Sequence, residues 1–310
     1  MTFPTLIRRD PSQTAIIRRK QTAEMRQRFI NLRKAIKKMV ITGDCFGLTW
    51  GFPFAAYEDL EPFDVPFAVS KQFQGQTRAE KSDNFRKWLE RIVAAWLLWP
   101  RDRQGNNWTA EQVSLGYWHG LKQAYTQVSP LSVSFGSPYS VAGFRIWLQN
   151  QQHAPKTIDS LRSLNARVYG GLEAIAADLE NKGALAATDG LATGKSANQI
   201  YNTIDAEIRR IYENRAAKLA DTEIVRASAE GQLDGFESLG VKQVGMLVEF
   251  KTSGLGNVCP ICQSLAGTTY TIQQARGIIP VHAACACGWV VIKSNDTRKR
   301  GVWDFLFREV

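Results

Sequence analysis

A chain of 310 residues with 44% hydrophobic and 22% charged residues can bury a sizeable core, as two domains or as one domain with an arm. Its net charge of +10 is concentrated: residues 1–40 hold eleven Lys and Arg against Asp10 and Glu24, a local net of +9, and the remainder is close to neutral. The longest apolar run, Ile92 to Trp99, is eight residues against roughly 20 for a spanning helix, which excludes a membrane span, and the charged N-terminus lacks the apolar stretch of a signal peptide.

Asp10-Pro11-Ser12 reads as the start of a long basic helix from about Thr14 to Val40. Met25, Phe29, Leu32, Ile36 and Met39 recur every three or four residues and make one narrow apolar stripe. The stripe fits two roles. It can cover the chain's own core beneath a solvated cationic surface, or it can belong to a binding arm for DNA or an acidic protein surface. From Gly43 to Phe73 the sequence is irregular and aromatic, and Pro53, Pro62 and Pro66 forbid regular helix. Cys45 stands apart and reads as a small buried hydrophobe.

Helices are predicted over 84–99 and 109–127, the second opened by the capping-box pattern Thr109-x-x-Gln112. A loop follows at 129–143, then a short helix past Phe144, Ile146 and Leu148. The next amphipathic helix carries Ile158, Leu161, Leu164, Val168, Leu172, Ile175 and Leu179 on one stripe, with a turn at Gly183 and small residues to Gly194. Gly190-Leu-Ala-Thr-Gly194-Lys195-Ser196 is one residue short of a phosphate loop and reads instead as a helix–helix turn with Ser196 as N-cap. Helices over 197–212 and 215–239 complete a helical block, in which Glu223 and Arg226 sit three apart as an ordinary ion pair. Val244, Met246, Val248 and Phe250 alternate with the period of a strand, and Thr268–Ile272 and Trp289–Ile292 are further strand candidates.

Between those strands lie four of the five cysteines, within 29 residues: Cys259-Pro-Ile-Cys262, nineteen residues, then His282-Ala-Ala-Cys285-Ala-Cys287. A CxxC turn presents two thiolates from one bend, and a tetrahedral zinc needs four such ligands. Five candidates are one too many. Cys259, Cys262, Cys285 and Cys287 would make an all-thiolate site, or His282 replaces one of the last two cysteines. No H-x-E or H-E-x-x-H occurs, since the histidines sit in His119-Gly-Leu, His153-Ala-Pro and His282-Ala-Ala. A closed, structural zinc is therefore expected, contributing folding energy to a small module, in a reducing compartment.

Thr222-Glu223-x-x-Arg226-Ala227, the strand ending at Glu249-Phe250, Val258-Cys259-Pro-Ile-Cys262-x-x-Leu265-x-Gly267-x-x-Tyr270, and Ile279-Pro280-x-His282-x-x-Cys285-x-Cys287 together resemble the Mu F-like phage head morphogenesis family, the minor head (minor capsid) proteins of tailed bacteriophages. The likeness runs from about Ile158 to Ile292, with Ala283 and Ala286 where the family usually has proline and arginine. It implies a non-enzymatic virion component in the phage head, made in the host cytoplasm, with the portal protein and the major capsid protein or scaffold as partners; the basic helix would meet one of these proteins or packaged DNA.

The expected fold class is α+β: a mainly α-helical body, a small zinc-stabilised C-terminal α+β module and an extended basic N-terminal helix. The segments are a basic arm (1–42), an aromatic-rich loop and helical region (43–155), a helical domain (156–240), the zinc module (241–295) and an apolar tail (296–310). Two other readings fit parts of the pattern. One is a zinc-dependent nucleic-acid enzyme or toxin-like effector on a head-protein scaffold, which needs an open metal position and a water-activating carboxylate. The other is a cytosolic DNA-binding zinc module resting on the charge asymmetry alone.

Overall fold

The computed structural model describes residues 10–48, 77–99, 107–132, 141–241, 245–252 and 258–292, the side chains of 129–132 and 141–142 excepted. Most of the aromatic loop and all of the tail lie outside these residues. The described chain is mainly helical, with one small antiparallel sheet. The helices are α1 (Ala15–Lys37), α2 (Arg78–Val93), α3 (Ala110–Ser132), α4 (Val141–Gln152), α5 (Pro155–Ala192), α6 (Ala197–Ile211) and α7 (Ala217–Ser238). The C-terminal region adds β1 (Leu247–Lys251), α8 (Pro260–Leu265), β2 (Thr269–Tyr270), α9 (Ile272–Ala275) and β3 (Gly288–Ile292). None of the described helices is long and apolar enough to cross a membrane.

The chain folds as two compact units, each built from separated stretches. One takes residues 23–108 and 169–217, the other the N-terminal 22 residues, 109–168 and everything from 218 onward.

In the first unit the α1 stripe covers the chain's own core. Met25, Phe29, Leu32 and Ile36 are all buried. A π turn at Lys38–Thr42 then shifts the register, so Val40 rather than Met39 takes the next inward position. Opposing residues come from α2 (Phe85, Leu89, Ile92) and from the Ile200, Ile204, Ile208, Ile211 stripe of α6. Ser196 caps α6 with a complete capping box to Gln199, and Gly194 precedes it at φ +70°, the helix–helix turn expected at that position. Cys45 is buried, as expected, and Phe46 beside it packs on Phe85 with ring centroids 5.2 Å apart.

Two local expectations fail here for physical reasons. Gly183 does not make a turn, because α5 runs unbroken to Ala192. A Cβ on Gly183 would lie 2.6 Å from Leu89, and one on Gly190 would lie 2.5 Å from Ile200, so these glycines admit neighbouring side chains. Helix α2 starts at Arg78 rather than Asn84, because Thr77 and Glu80 form a capping box that periodicity does not reveal. Two cations of α1 have partners within this unit. Arg33 pairs with buried Asp205 at 2.5 Å, and Arg28 stacks 4.2 Å over Trp108 while donating to the carbonyls of Trp96 and Trp99.

In the second unit, α3 and α7 cross with their backbones nearly touching. A Cβ on Gly120 would lie 2.0 Å from the Ser228 carbonyl, and one on Gly231 would lie 2.2 Å from that of Tyr117. Gly116-x-x-x-Gly120 meets Gly231-x-x-x-Gly235, and only a flat helix face permits this approach. The expected loop at 129–143 begins later, since α3 continues to Ser132. The expected capping box at Thr109 does not close, because the Gln112 side-chain oxygen is buried without a partner.

The sheet has order β2-β1-β3 and is antiparallel throughout, with Val248 facing Tyr270 on one side and Val291 on the other. Two glutamines complete the outer edge of β3. Gln127 of α3 donates to the Trp289 carbonyl and accepts from the Val291 N–H, both at 3.0 Å. Gln232 of α7 accepts from the Trp289 N–H at 3.1 Å and donates to Gln123 at 2.6 Å. These side chains take the place of a fourth strand's backbone at the Trp289 N–H and carbonyl and at the Val291 N–H. Below the sheet one apolar cluster joins Val225, Leu233 and Phe236 of α7 to Val248, Phe250 and Trp289, and includes Cys262, Cys285 and Cys287. Arg276 adds a polar clamp, reaching Glu230, buried Asp234 and Glu237 of α7 at 2.7–3.0 Å.

Candidate metal centre

The first knuckle forms where β1 gives way to α8. Cys259 is the N-cap of α8, its sulfur accepting from the Cys262 N–H at 3.3 Å, and Pro260 at the first helical position has no intrahelical bond to lose. One helical turn separates the two sulfurs, so both face the same side. The second knuckle spans His282 to Cys287 and enters β3 directly. Ala284 within it lies at φ +60°, a left-handed conformation that costs an alanine about 1 kcal/mol and is held by its N–H donating to Thr222 Oγ1 of α7 at 3.3 Å.

All five sequence candidates converge. His282 Nε2 lies 3.1 Å from both Cys259 Sγ and Cys262 Sγ, and Cys262 Sγ lies 3.9 Å from Cys285 Sγ. They form two groups with ligand atoms within 4.8 Å of one another: Cys259, Cys262 and His282, and Cys262, Cys285 and Cys287. Cys262 belongs to both. The His282 Nδ1 is 2.7 Å from the Ala283 carbonyl, which can only accept, so Nδ1 carries the proton and Nε2 faces the sulfurs.

The local fields are those of a thiol cluster with unequal members. Cys285 is the favoured thiolate: a hydrogen bond from Cys287 and backbone contacts at Cys287 and Val281 outweigh burial and hold it down to about 5. Burial, with the neighbouring sulfurs, pushes Cys262 up to about 12, and the bond to Cys285 together with burial pushes Cys287 up as well. Cys259, served by the Cys262 N–H and close to His282, is lowered. His282 is raised, first by the Ala283 carbonyl and then by the cysteines around it.

This donor set fits a soft or borderline divalent cation. None of the five cysteines is in a disulfide, and three of the four candidate thiols are buried. Thiolates at zinc bonding distance in a tetrahedron lie about 3.8 Å apart, close to the 3.9 Å between Cys262 and Cys285. The cluster could therefore hold a metal ion.

The Glu223–Arg226 pair expected from spacing is present at 3.1 Å, and Arg167 of α5 joins it. Sequence reasoning missed the role of Thr222 one residue earlier, which anchors the second knuckle. It also missed the three glutamines. Thr222 offers no local signal because its partner is 62 residues away. The paired Gly-x-x-x-Gly motifs that bring α3 and α7 together are a local signal present in the sequence. Compared with protein-family models, curated proteins and solved structures, the chain matches none.

Proposed function

We propose that this protein is a minor head protein of a tailed bacteriophage, a structural component acting in head morphogenesis near the portal, with a C-terminal module stapled by zinc. The observation that carries the reading is the convergence of the motif residues. Thr222, Glu223 and Arg226, the Glu249-Phe250 strand, both cysteine knuckles and Tyr270 lie between positions 222 and 287 of one compact unit, where Thr222 bonds the second knuckle across 62 residues and Phe250 and Tyr270 pack with the cysteines.

Zinc is the metal best suited to this mixture of thiolates and one imidazole, and its role is structural. Neither candidate ligand group contains a carboxylate among the described residues. Bound there, the ion would tie the α8 knuckle to the start of β3 and compensate for a sheet of only two five-residue strands and one of two.

The apolar stripe of α1 is spent on the chain's own core, so recognition falls to its cations. Arg19, Arg26, Lys34 and Lys37 are exposed and would meet DNA phosphates or acidic faces of portal, capsid or scaffold without sequence preference. Mass spectrometry of purified phage particles, with cross-linking to the portal, tests the proposal. Peptides of this chain cross-linked at the portal vertex are expected. Their absence from assembled particles and from head-assembly intermediates would overturn it.

A further inference from the structure

A short strap ahead of α1 lies on the second cysteine knuckle. The Ser12 N–H donates to the Ala286 carbonyl at 3.2 Å, and Ala286 is the residue between Cys285 and Cys287. The Ser12 carbonyl accepts from Gln123 Nε2 at 3.0 Å, so both backbone groups of this buried residue are used. Strap and knuckle are in direct backbone contact: a Cβ on Gly288 would stand 2.8 Å from the Pro11 carbonyl oxygen. The strap continues into the first turn of α1 through Asp10, which accepts from the Ala15 N–H at 3.1 Å and pairs with Arg18 at 3.3 Å. Arg18 also holds Asp221 at 3.2 Å, next to the Thr222 that anchors Ala284.

Cys285 is thus gripped on both sides by backbone bonds. Ala284 before it is tied to α7, and Ala286 after it is tied to the strap. A metal on Cys285 would fix the same loop from a third direction. We infer that the strap and the metal centre are linked, so that metal binding seats residues 10–14 and the first turn of the basic helix, and metal loss releases them. The inference rests on the metal reading above and adds a consequence: the start of the basic arm is latched by a metal. Linkage is reciprocal, so unseating the strap must weaken metal binding by the same factor that metal loss weakens the seat.

The test uses the full chain, zinc-loaded and then chelated under reducing conditions, with metal content and amide hydrogen exchange measured on the same samples. Metal loss should speed exchange at Ser12 to Ala15 by about tenfold or more, while amides of α6 are unchanged. In parallel, Gly288→Ala pushes on the Pro11 carbonyl, and Ser12→Pro deletes the N–H that reaches Ala286. Both keep all five candidate ligands, and each should lower zinc affinity against a competing chelator by about fivefold or more. Zinc bound with unchanged exchange at the strap would overturn the linkage and leave the metal reading intact. Failure of the chain to bind zinc would overturn both. Ser12→Pro gives the decisive value if Gly288→Ala does not fold, and wild-type affinity in a folded Ser12→Pro also overturns the linkage.

Discussion

The helical unit of residues 23–108 and 169–217 and the C-terminal cysteine module reach order by opposite means. The first brings together regular apolar stripes: Met25 to Ile36 on α1 and Ile200 to Ile211 on α6, with large side chains each contributing about 2 kcal/mol on burial. The second has three short strands, two helices of six and four residues, and a core that includes three cysteines. It depends on side chains doing backbone work, at Gln127, Gln232 and Thr222, and on a ligand cluster. Where periodicity is strong, burial suffices. Where elements are too short to carry it, specific bonds have to replace it, and each such bond becomes a point of failure.

The largest expected effect separates the two regions directly. Cys262→Ser removes the one sulfur shared by both ligand groups. Structural zinc in small modules is worth about 10 kcal/mol or more at neutral pH, so the module should lose its fold. Trp289 fluorescence should shift to that of an exposed indole while most of the helical signal at 222 nm survives. If Trp289 stays buried, the module stands on its own core and the contrast between the regions collapses.

Gly120→Val comes next. Its side chain would drive into the Ser228 carbonyl, forcing α3 from α7 and disturbing the Gln123, Gln127 and Gln232 bonds together. A loss of about 3 kcal/mol or more is expected in urea denaturation. Gly170→Ala, with nothing within 4 Å, is the control and should stabilise by about 0.5–1 kcal/mol.

Asp205 tests the helical unit. Burial raises its carboxyl, but bonds from Arg33, Arg209 and Tyr201 outweigh burial and leave it lowered. Its contribution is therefore fully present above the unfolded value of about 3.9 and fades as pH falls through the lower folded value. Asp205→Asn should cost about 1–2 kcal/mol at pH 7, discounted because Arg209 is well exposed. The gap to wild type should shrink below about pH 4. A gap that is constant from pH 3 to 7 would show that the charge contributes nothing.

The smallest expected effect is at the knuckle. Ala284→Gly relieves a left-handed alanine at φ +60° and should raise the melting stability by about 0.5 kcal/mol, after the added freedom of the unfolded chain is subtracted. A loss instead would mean that the methyl group makes a contact the loop needs.

What was legible in the sequence followed the same division. The α1 stripe, the Ser196 cap and the Cys259–Cys287 cluster could be read because their signals are local: period, capping residue and ligand spacing. Gly183 was misread because a glycine admitting Leu89 and a glycine making a turn look alike without the partner. The partners of the α1 cations leave no local trace, because Asp205, Trp108 and Asp221 lie far away in sequence. Neither the glutamine edge of β3 nor the Ser12–Ala286 bond has any local trace, since each joins residues 57 or more positions apart. Short-range chemistry located the candidate site, and long-range bonds hold it in place.

The claim that a metal holds the C-terminal module is tested most directly by native mass spectrometry of the folded full chain, purified under reducing conditions without added metal. One zinc bound per chain, lost on acidification together with the compact charge-state distribution, is the predicted result. A metal-free mass on a compact chain that takes up no zinc when it is supplied would contradict it.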